Sequence, residues 1–307
     1  MRVTVIGAGA MGCLIAGRLS RAGHETTLVS RNRATQLAIA ESGLVLVEGD
    51  QRAALPINVV AEAGPVPADL VVIMVKADDT EGACVTARPA VGSETAVLTL
   101  QNGLGNVETI SAAFPSCHLL AGTTTQGAFT AGPGQVVVGG SGLSSLAAIR
   151  PSDRNLARQV ADLFERAGLA ARALDDVWPL IWTKLALNAV INPMAALLGV
   201  ANGALLRLTE TKSLAEGVLA EVAAVAASRG VSVAVDWPAV QAVLESTREN
   251  RCSMLQDLAA GHRTEIRALN GAVARYGEEA AIPCPVNATL AGMIVLAEQA
   301  RGIFAKP

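Results

Sequence analysis

The sequence predicts two domains: an amino-terminal α/β domain with a doubly wound parallel sheet, followed by an all-helical domain. Two observations support this prediction. Short apolar runs alternate with helical patterns through the first half of the 307-residue chain, and such alternation is typical of βαβ units in a parallel sheet. After about residue 176 only helical patterns are found. The predicted domains are therefore 1–176 and 177–307.

The predicted strands are short and apolar. The run LVVIMV at 70–75 is apolar throughout, as expected of a strand that is covered on both faces. The predicted strands are 3–6, 26–30, 70–75, 96–100, 135–139 and 169–174, with helices at 11–21, 106–113 and 153–167. The predicted helices of the second domain are 178–198, 210–228, 238–259, 264–276 and 286–298.

Composition and charge exclude several classes of protein. Apolar residues form 51% of the chain and charged residues 17%, which excludes intrinsic disorder. A net charge of −3 gives no indication of the positive surface that would bind nucleic acid or an anionic membrane. The five cysteines are scattered without a CxxC pair and the three histidines are isolated, so no metal site is predicted. Unpaired cysteines are typical of reduced thiols, which predicts a cytoplasmic protein.

The segment 185–206 has 22 residues without a formal charge and is long enough to span a bilayer. It also contains three asparagines and Pro193. Buried amides without partners are costly in lipid, so the sequence predicts a core helix of a soluble domain and no membrane partner.

A glycine-rich turn directly follows the first predicted strand and opens a helix. In a βαβ unit, Gly7 allows the tight turn, Gly9 lets the backbone approach a pyrophosphate, and Gly12 lets the helix pack closely on the strand. The helix amino terminus directs free N–H groups at the phosphates. An ordinary glycine-rich turn is the alternative. The predicted Rossmann-type dinucleotide site consists of Gly7, Ala8, Gly9, Ala10, Met11 and Gly12.

The end of the second predicted strand indicates which dinucleotide binds. Sites for NAD usually place a carboxylate there to bind the ribose hydroxyls. This strand ends with Ser30, Arg31, Asn32 and Arg33, and Glu25 lies at its start. Arg31 can pair bidentately with a 2′-phosphate, with Arg33 as support. The sequence therefore predicts NADP(H), and the alternative for Arg31 is a solvated surface charge.

Two further loops follow predicted strands, so they are expected at the same edge of the sheet as the ligand. Lys76 ends one strand and is expected either to contact cofactor or substrate or to cap the sheet. Asn102 follows another strand, and its amide is a candidate ligand for nicotinamide or substrate. The neighbouring glycines, Gly103 and Gly105, allow close approach.

Three polar residues interrupt an otherwise apolar helix in the second domain. Lys184, Asn188 and Asn192 are spaced at i, i+4 and i+8 and therefore share one helix face. Reduction of a ketone places negative charge on its oxygen, which an ammonium can stabilise and protonate. The asparagines are neutral donors that can orient a substrate. Pro193 is expected to remove the hydrogen bond to the carbonyl of Ala189 and to kink the helix.

A second polar set lies further along the chain. Asn250, Ser253 and Asp257 are predicted to share one helix face, and Asn250 and Ser253 are candidates to bind a substrate carboxylate or hydroxyl. Thr264 is predicted to cap the next helix, with Glu265 in its first turn. Glu265 is a candidate to pair with Lys184 or to orient the nicotinamide ribose. A solvated helix surface is the alternative for this set.

Taken together, these residues resemble the 2-dehydropantoate 2-reductase (ketopantoate reductase) family over about residues 2–299. The resemblance rests on GAGAMG, VK at 75–76, QNGLGN, GTTTQGA, KLALNAVINP, NRCSMLQDLAAGHRTEI and NG at 270–271. It implies a Rossmann domain, an all-helical domain of the 6-phosphogluconate dehydrogenase C-terminal type, and substrate in the cleft between them. It also implies NADPH-dependent reduction of 2-dehydropantoate to (R)-pantoate, in pantothenate and coenzyme A synthesis.

Carried onto matching positions, the resemblance makes Lys184 the proton donor. It makes Glu265 a second catalytic residue that contacts the nicotinamide half of NADPH. Ala128 would lie beside NADPH, and Asn102 would touch both cofactor and substrate. Lys76, at its strand end, is kept as a predicted cofactor contact. The substrate-binding residues that it implies are Asn102, Lys184, Asn188, Asn192, Asn202, Asn250 and Ser253.

The chain departs from the family pattern at one place, and several alternatives stay open. The family commonly reads TEID, whereas Arg267 stands here in place of the acid, which is expected to alter packing rather than the reaction. The alternatives are a reductase of another 2-oxo acid, a β-hydroxyacid dehydrogenase, and a catalytically silent NADP-binding sensor. Such a sensor should have lost Lys184. The sequence leaves a homodimer open.

Overall fold

The computed structural model describes residues 1–304, and the chain divides into two compact units. Residues 1–101 and 106–177 form the first unit. The second unit consists of residues 102–105 and of the described chain from 178 to 304. The short loop 102–105 therefore packs with the carboxy-proximal unit although it follows a strand of the first.

The first unit contains two sheets and five helices. Its strands are β1 (Arg2–Ile6), β2 (Glu25–Val29), β3 (Leu44–Glu48), β4 (Gln51–Leu55), β5 (Asn58–Val60), β6 (Leu70–Ile73), β7 (Ala96–Thr99), β8 (His118–Thr124), β9 (Gly127–Gly132), β10 (Gln135–Gly140), β11 (Ser144–Ala148) and β12 (Ala171–Ala173). Its helices are α1 (Ala10–Arg21), α2 (Arg33–Ser42), α3 (Thr80–Ala87), α4 (Asn106–Ala113) and α5 (Arg154–Arg166).

The larger sheet has the strand order β5-β2-β1-β6-β7-β8-β11-β12. The six strands from β5 to β8 are parallel, and their order is that of a Rossmann fold. This confirms the predicted fold class. One pairing near the edge of this sheet is antiparallel, that of β11 with β8.

The predicted strand at 135–139 exists, but it lies in a separate sheet with the order β4-β3-β10-β9. There β10 pairs antiparallel with β9 and parallel with β3. Its apolar residues face α1 rather than continuing the large sheet: Val136 is fully buried in the core that α1 shares. An apolar run indicates that a strand is buried but not which strand it pairs with. The sequence therefore did not predict that this strand belongs to a second sheet.

The large sheet is covered on both faces, as the apolar strands predict. Along β1, Val3 and Val5 belong to one buried cluster and Ile6 to another, in keeping with the alternation of side chains along a strand. Helix α1 contributes Leu14 and Ile15 to the first cluster. The sheet and α1 together hold the turn at residues 7–9 in place.

The described part of the second unit is helical, without strands. Its helices are α6 (Trp178–Leu198), α7 (Thr211–Ser228), α8 (Trp237–Ser246), α9 (Ser253–Ala259), α10 (Asn270–Glu279) and α11 (Pro285–Ala300), with a 3-10 helix at Asn202–Arg207. Two predicted helices were wrong. The helix predicted over 238–259 is broken into α8 and α9, and the one predicted over 264–276 begins only at Asn270.

Helix α6 is long and apolar enough to cross a membrane, yet 67% of its most apolar window is buried inside the protein. It packs against α7, α9 and α11. The helix is continuous through Pro193, which lacks the N–H that would bond to the carbonyl of Ala189. The Nδ2 of Asn270 donates to that carbonyl instead, at 2.9 Å. A side chain from α10 therefore satisfies the oxygen that the proline leaves without its helical donor.

Candidate active site

The glycine turn after β1 has the geometry of a close backbone cradle. Gly7 has a φ of +108°, and a Cβ there would lie 2.7 Å from the carbonyl oxygen of Met74. A Cβ on Gly12 would lie 1.9 Å from the carbonyl oxygen of Gly7, so this glycine allows α1 to pack on the turn itself. A Cβ on Gly9 would have no neighbouring heavy atom within 4 Å. The turn therefore leaves open space at the start of α1.

A cavity of about 250 Å³ lies at the carboxyl ends of β1 and β2, beside this turn. Its wall combines apolar side chains with backbone of the turn and polar groups of the segment after β2. The lining residues are Ile6, Gly7, Ala8, Val29, Ser30, Arg31, Asn32, Thr35, Val75, Ala83 and Thr86. The switch in strand order next to β1 is where open α/β sheets bind their ligands.

Arg31 lines this cavity and forms an ion pair that the sequence did not predict. Its Nη2 lies 3.0 Å from Oδ1 of Asp79, and the two side chains are 60% and 30% exposed. Asp79 lies at the end of a 3-10 turn after β6. Asn32 caps α2 by accepting from the N–H of Thr35. Arg33 is exposed and does not line the cavity.

The structure places two further predicted cofactor residues on separate elements of the first unit. Lys76 is half-buried and lies at the amino end of the 3-10 turn Ala77–Asp79, directly after Val75 of the cavity wall. Ala128 lies on β9, in the smaller sheet, where it packs against the core that contains α1.

Lys184 lies on α6 and is half-buried. Burial lowers the pKa of its ammonium from 10.5 to about 8, and the carboxylate of Glu265 opposes this by raising it. Desolvation penalises the charged form of a lysine, which is the physical cause of the first effect. Asn188 and Asn192 follow on the same face of α6, half-buried and buried respectively. The helix thus presents one titratable donor and two amides in a row.

The second unit also brings Asn102 and Glu265 together. Nδ2 of Asn102 donates to Oε2 of Glu265 at 3.0 Å, across 163 residues of sequence. The N–H of Leu104 donates to the carbonyl of Ala268 at 2.9 Å, and a Cβ on Gly103 would lie 2.5 Å from that same oxygen. The loop 102–105 therefore docks directly on the segment that carries Glu265.

The prediction for Thr264 was wrong, because it caps no helix. Residues 264–269 form an irregular segment before α10. Oγ1 of Thr264 accepts from the N–H of Ile266 at 3.3 Å and donates to Oε1 of Glu298 at 2.8 Å. Arg267, the residue that departs from the family pattern, donates from Nη1 to Oε2 of Glu298 at 2.9 Å.

Asn250 and Ser253 do not share a helix face, contrary to the prediction. Asn250 is exposed in the break before α9, and Ser253 is the first residue of α9. The N–H of Asn202 donates to the carbonyl of Asn250 at 2.9 Å, and Nδ2 of Asn202 donates to Oγ1 of Thr247 at 3.0 Å. Asn202 thus ties the 3-10 helix to the break, while its buried Oδ1 has no hydrogen-bond partner.

Within the described residues, no group of three or more His, Cys, Asp or Glu side chains could hold a metal ion. The second unit therefore offers a lysine, amides and a carboxylate. This set suits proton donation and the binding of a polar organic substrate.

Family models match both units of the chain. Residues 3–150 match the model described as Ketopantoate reductase PanE/ApbA, and residues 176–298 match the model of its C terminal domain. The 2-dehydropantoate 2-reductase of Archaeoglobus fulgidus is 36% identical over 294 residues, which cover 95% of this chain and 96% of that protein.

Two similar solved structures also span the chain. A PanE/ApbA family ketopantoate reductase from Ralstonia eutropha has 32% identity and a TM-score of 0.90, covering 98% of this chain and all of that one. D-mandelate dehydrogenase, solved with NADH and anilino(oxo)acetate, has 27% identity and a TM-score of 0.92, with the same coverage. The likeness thus extends to enzymes named for two different acids.

Proposed function

Because the chain belongs to the ketopantoate reductase family, we propose that it reduces 2-dehydropantoate to (R)-pantoate with NADPH, in pantothenate and coenzyme A synthesis. The family matches confirm the resemblance carried by the sequence motifs. The observation that carries the proposal is the half-buried Lys184, whose pKa of about 8 suits a proton donor near neutral pH. A lysine retained in this form also argues against a silent sensor.

The first unit is assigned to the cofactor. The open space above Gly9 and the close packing at Gly12 fit a pyrophosphate against the start of α1. Arg31, in the wall of the neighbouring cavity, is assigned to the 2′-phosphate of NADP(H). Lys76 and Ala128 are assigned as further cofactor contacts. The cofactor is thereby assigned to the predicted domain 1–176 apart from its loop 102–105, which packs with the second unit.

The second unit is assigned to the substrate and to proton transfer. When bound, NADPH supplies the hydride that reduces the 2-oxo carbon. The Lys184 ammonium stabilises the negative charge that develops on the carbonyl oxygen and then donates its proton to that oxygen. Asn188 and Asn192 orient the substrate without cancelling the charge of the lysine.

Glu265 supports this chemistry in two ways. Its carboxylate raises the pKa of Lys184 against the effect of burial, so more of the lysine is protonated at a given pH. Its Oε2 also accepts from Nδ2 of Asn102. This hydrogen bond fixes the orientation of the amide, including that of its oxygen. Asn250 and Ser253 are assigned to the carboxylate or hydroxyl of the substrate, and Asn202 both to the substrate and to the placement of Asn250.

The test is the initial rate of oxidation of NADPH and NADH against a panel of 2-oxo acids that includes ketopantoate. The expected result is the highest kcat/KM for ketopantoate, with NADPH preferred over NADH. If NADPH binds but no 2-oxo acid is reduced, the proposed reaction is wrong.

A second candidate is reduction of a different 2-oxo acid. The similarity to D-mandelate dehydrogenase over the whole chain favours it, because that enzyme is named for an aromatic 2-hydroxy acid. The panel therefore includes the 2-oxo acid that corresponds to mandelate. A preference for this acid by more than about tenfold, or about 1.4 kcal/mol in transition-state binding, would select the second candidate.

We further propose that the protein works in the cytoplasm on small molecules, without nucleic acid or membrane. The burial of most of α6 supports the last point. A homodimer stays a prediction, and sedimentation of the purified protein tests it.

A further inference from the structure

A buried carboxylate lies behind the segment that carries Glu265. Glu298 of α11 is 1% exposed. Its Oε1 accepts from the backbone N–H of Thr264 at 2.7 Å and from Oγ1 of the same residue at 2.8 Å. Its Oε2 accepts from Nη1 of Arg267 at 2.9 Å. A buried carboxylate is stable only when its oxygens are well paired, and here both oxygens accept from this one segment.

These contacts flank Glu265 on both sides. Thr264 precedes it, Arg267 follows two residues later, and the segment 264–269 has no regular secondary structure to fix it. Within the segment, local hydrogen bonds run from the N–H of Ile266 to Oγ1 of Thr264 and from the N–H of Ala268 to the carbonyl of Glu265. The segment also bonds to loop 102–105 and, through the carbonyl of Ile266, to Gly271 of α10. Its connection to α11 is Glu298, which holds the residues on either side of Glu265.

We propose that Glu298 is a positioning residue that sets the carboxylate of Glu265 toward Asn102 and Lys184. This inference rests on the proposed function, since it concerns the same site. Glu298 does not touch the reacting atoms. It acts through Thr264 and Arg267, whose positions fix the backbone of Glu265 between them. Arg267, which stands where the family has an acid, here completes the pairing of Glu298.

The expected signature is a change in the titration of Lys184. Glu265 raises the pKa of this lysine, so a displaced Glu265 leaves that pKa lower. A proton donor must be protonated to act, and the alkaline limb of the kcat profile therefore moves to lower pH. A loss of fold alone would reduce the amount of active protein without moving that limb.

The test compares Glu298→Gln with Glu221→Gln as a matched control. Glu221 is also a helix carboxylate of this unit that accepts from backbone N–H groups, those of Val286 and Asn287 at 2.8 and 2.9 Å. We expect Glu298→Gln to lower kcat about 10- to 100-fold, because small displacements of catalytic groups cost this much. We expect its alkaline limb to shift down, with Glu221→Gln leaving the limb in place.

A second variant and a direct measurement guard against misfolding of Glu298→Gln. Thr264→Ala removes one donor to Glu298 and keeps the backbone N–H, so it should shift the limb in the same direction by less. NMR titration of the Lys184 side chain reads the pKa without turnover, so it tests the inference even if the substrate proposal fails. An unchanged Lys184 titration in both variants, or equal shifts in Glu221→Gln, would overturn the role of Glu298.

Discussion

Replacing Lys184 with methionine should stabilise the protein at neutral pH while it slows reduction strongly. Burial lowers the pKa of Lys184 from 10.5 to about 8, so the folded protein holds the ammonium at an energetic cost. The difference corresponds to about 3 kcal/mol. This is an upper limit, because the lysine residue as a whole is only half-buried. Methionine retains the apolar stem and removes the charge.

The sign of the effect follows from proton linkage. Below pH 8 the lysine is protonated in both the folded and the unfolded chain, and the full cost is present. Between pH 8 and 10.5 the unfolded chain binds more protons, so the wild-type protein gains stability as the pH rises. Above 10.5 both forms are neutral and the cost is gone. The advantage of Lys184→Met is therefore largest at pH 7 and small near pH 10.5.

The assay is urea unfolding of the two proteins at pH 7 and pH 10, together with kcat for ketopantoate. We expect a gain of up to about 3 kcal/mol at pH 7 and a loss of about 10²- to 10⁴-fold in kcat. Lys212→Met is the control: this lysine is exposed and pairs with Glu216 at 3.7 Å, so its unfolding free energy should change by less than about 0.5 kcal/mol. A less stable Lys184→Met at pH 7, or an equal gain at both pH values, would refute the reasoning.

Four further variants test the cofactor site, the pKa of Lys184 and the core. Arg31→Ala should raise the KM for NADPH about 10- to 100-fold and leave that for NADH unchanged, whereas Asp79→Asn should lower the KM for NADPH because it frees Arg31. Glu265→Gln should move the alkaline limb of kcat to lower pH, since it removes the charge that raises the pKa of Lys184. Asn270→Ala should destabilise the fold by about 1–3 kcal/mol in urea unfolding, because it leaves a buried carbonyl of α6 unsatisfied.

Each of these predictions has a result that contradicts it. Equal effects of Arg31→Ala on NADPH and NADH would remove the assignment of the 2′-phosphate. A pH profile of Glu265→Gln that matches the wild type would mean that this carboxylate does not act on the lysine. Wild-type stability in Asn270→Ala would show that water replaces the lost amide at no cost.

The sequence predicted those features that depend on neighbouring residues. The glycine turn lies within six residues, and its conformation follows from the absence of a Cβ at Gly7 and Gly12. Helix α6 has the predicted bounds, 178–198, because a long apolar helix can be recognised from the composition of its own residues. The family was also evident from motifs alone.

Long-range contacts decided the features that the sequence did not predict. The break between α8 and α9 follows from the N–H groups of Asn202 and Gly203, which donate to the carbonyls of Asn250 and Arg248. No periodicity in residues 238–259 indicates such donors. Arg31 and Asp79 are 48 residues apart in the chain. Their pairing was not predicted, because no local pattern indicates so distant a partner.

The bond from Asn270 to the carbonyl of Ala189 sets an order of events during synthesis. The two residues are 81 positions apart, so α6 has left the ribosome long before Asn270, the hydrogen-bond donor to this carbonyl, is made. Until then water must donate the hydrogen bond to the Ala189 carbonyl, which keeps this turn of α6 exposed to solvent. The helix therefore gains its final packing only when α10 arrives, and the surroundings of Lys184 are among the last parts of the growing chain to be completed.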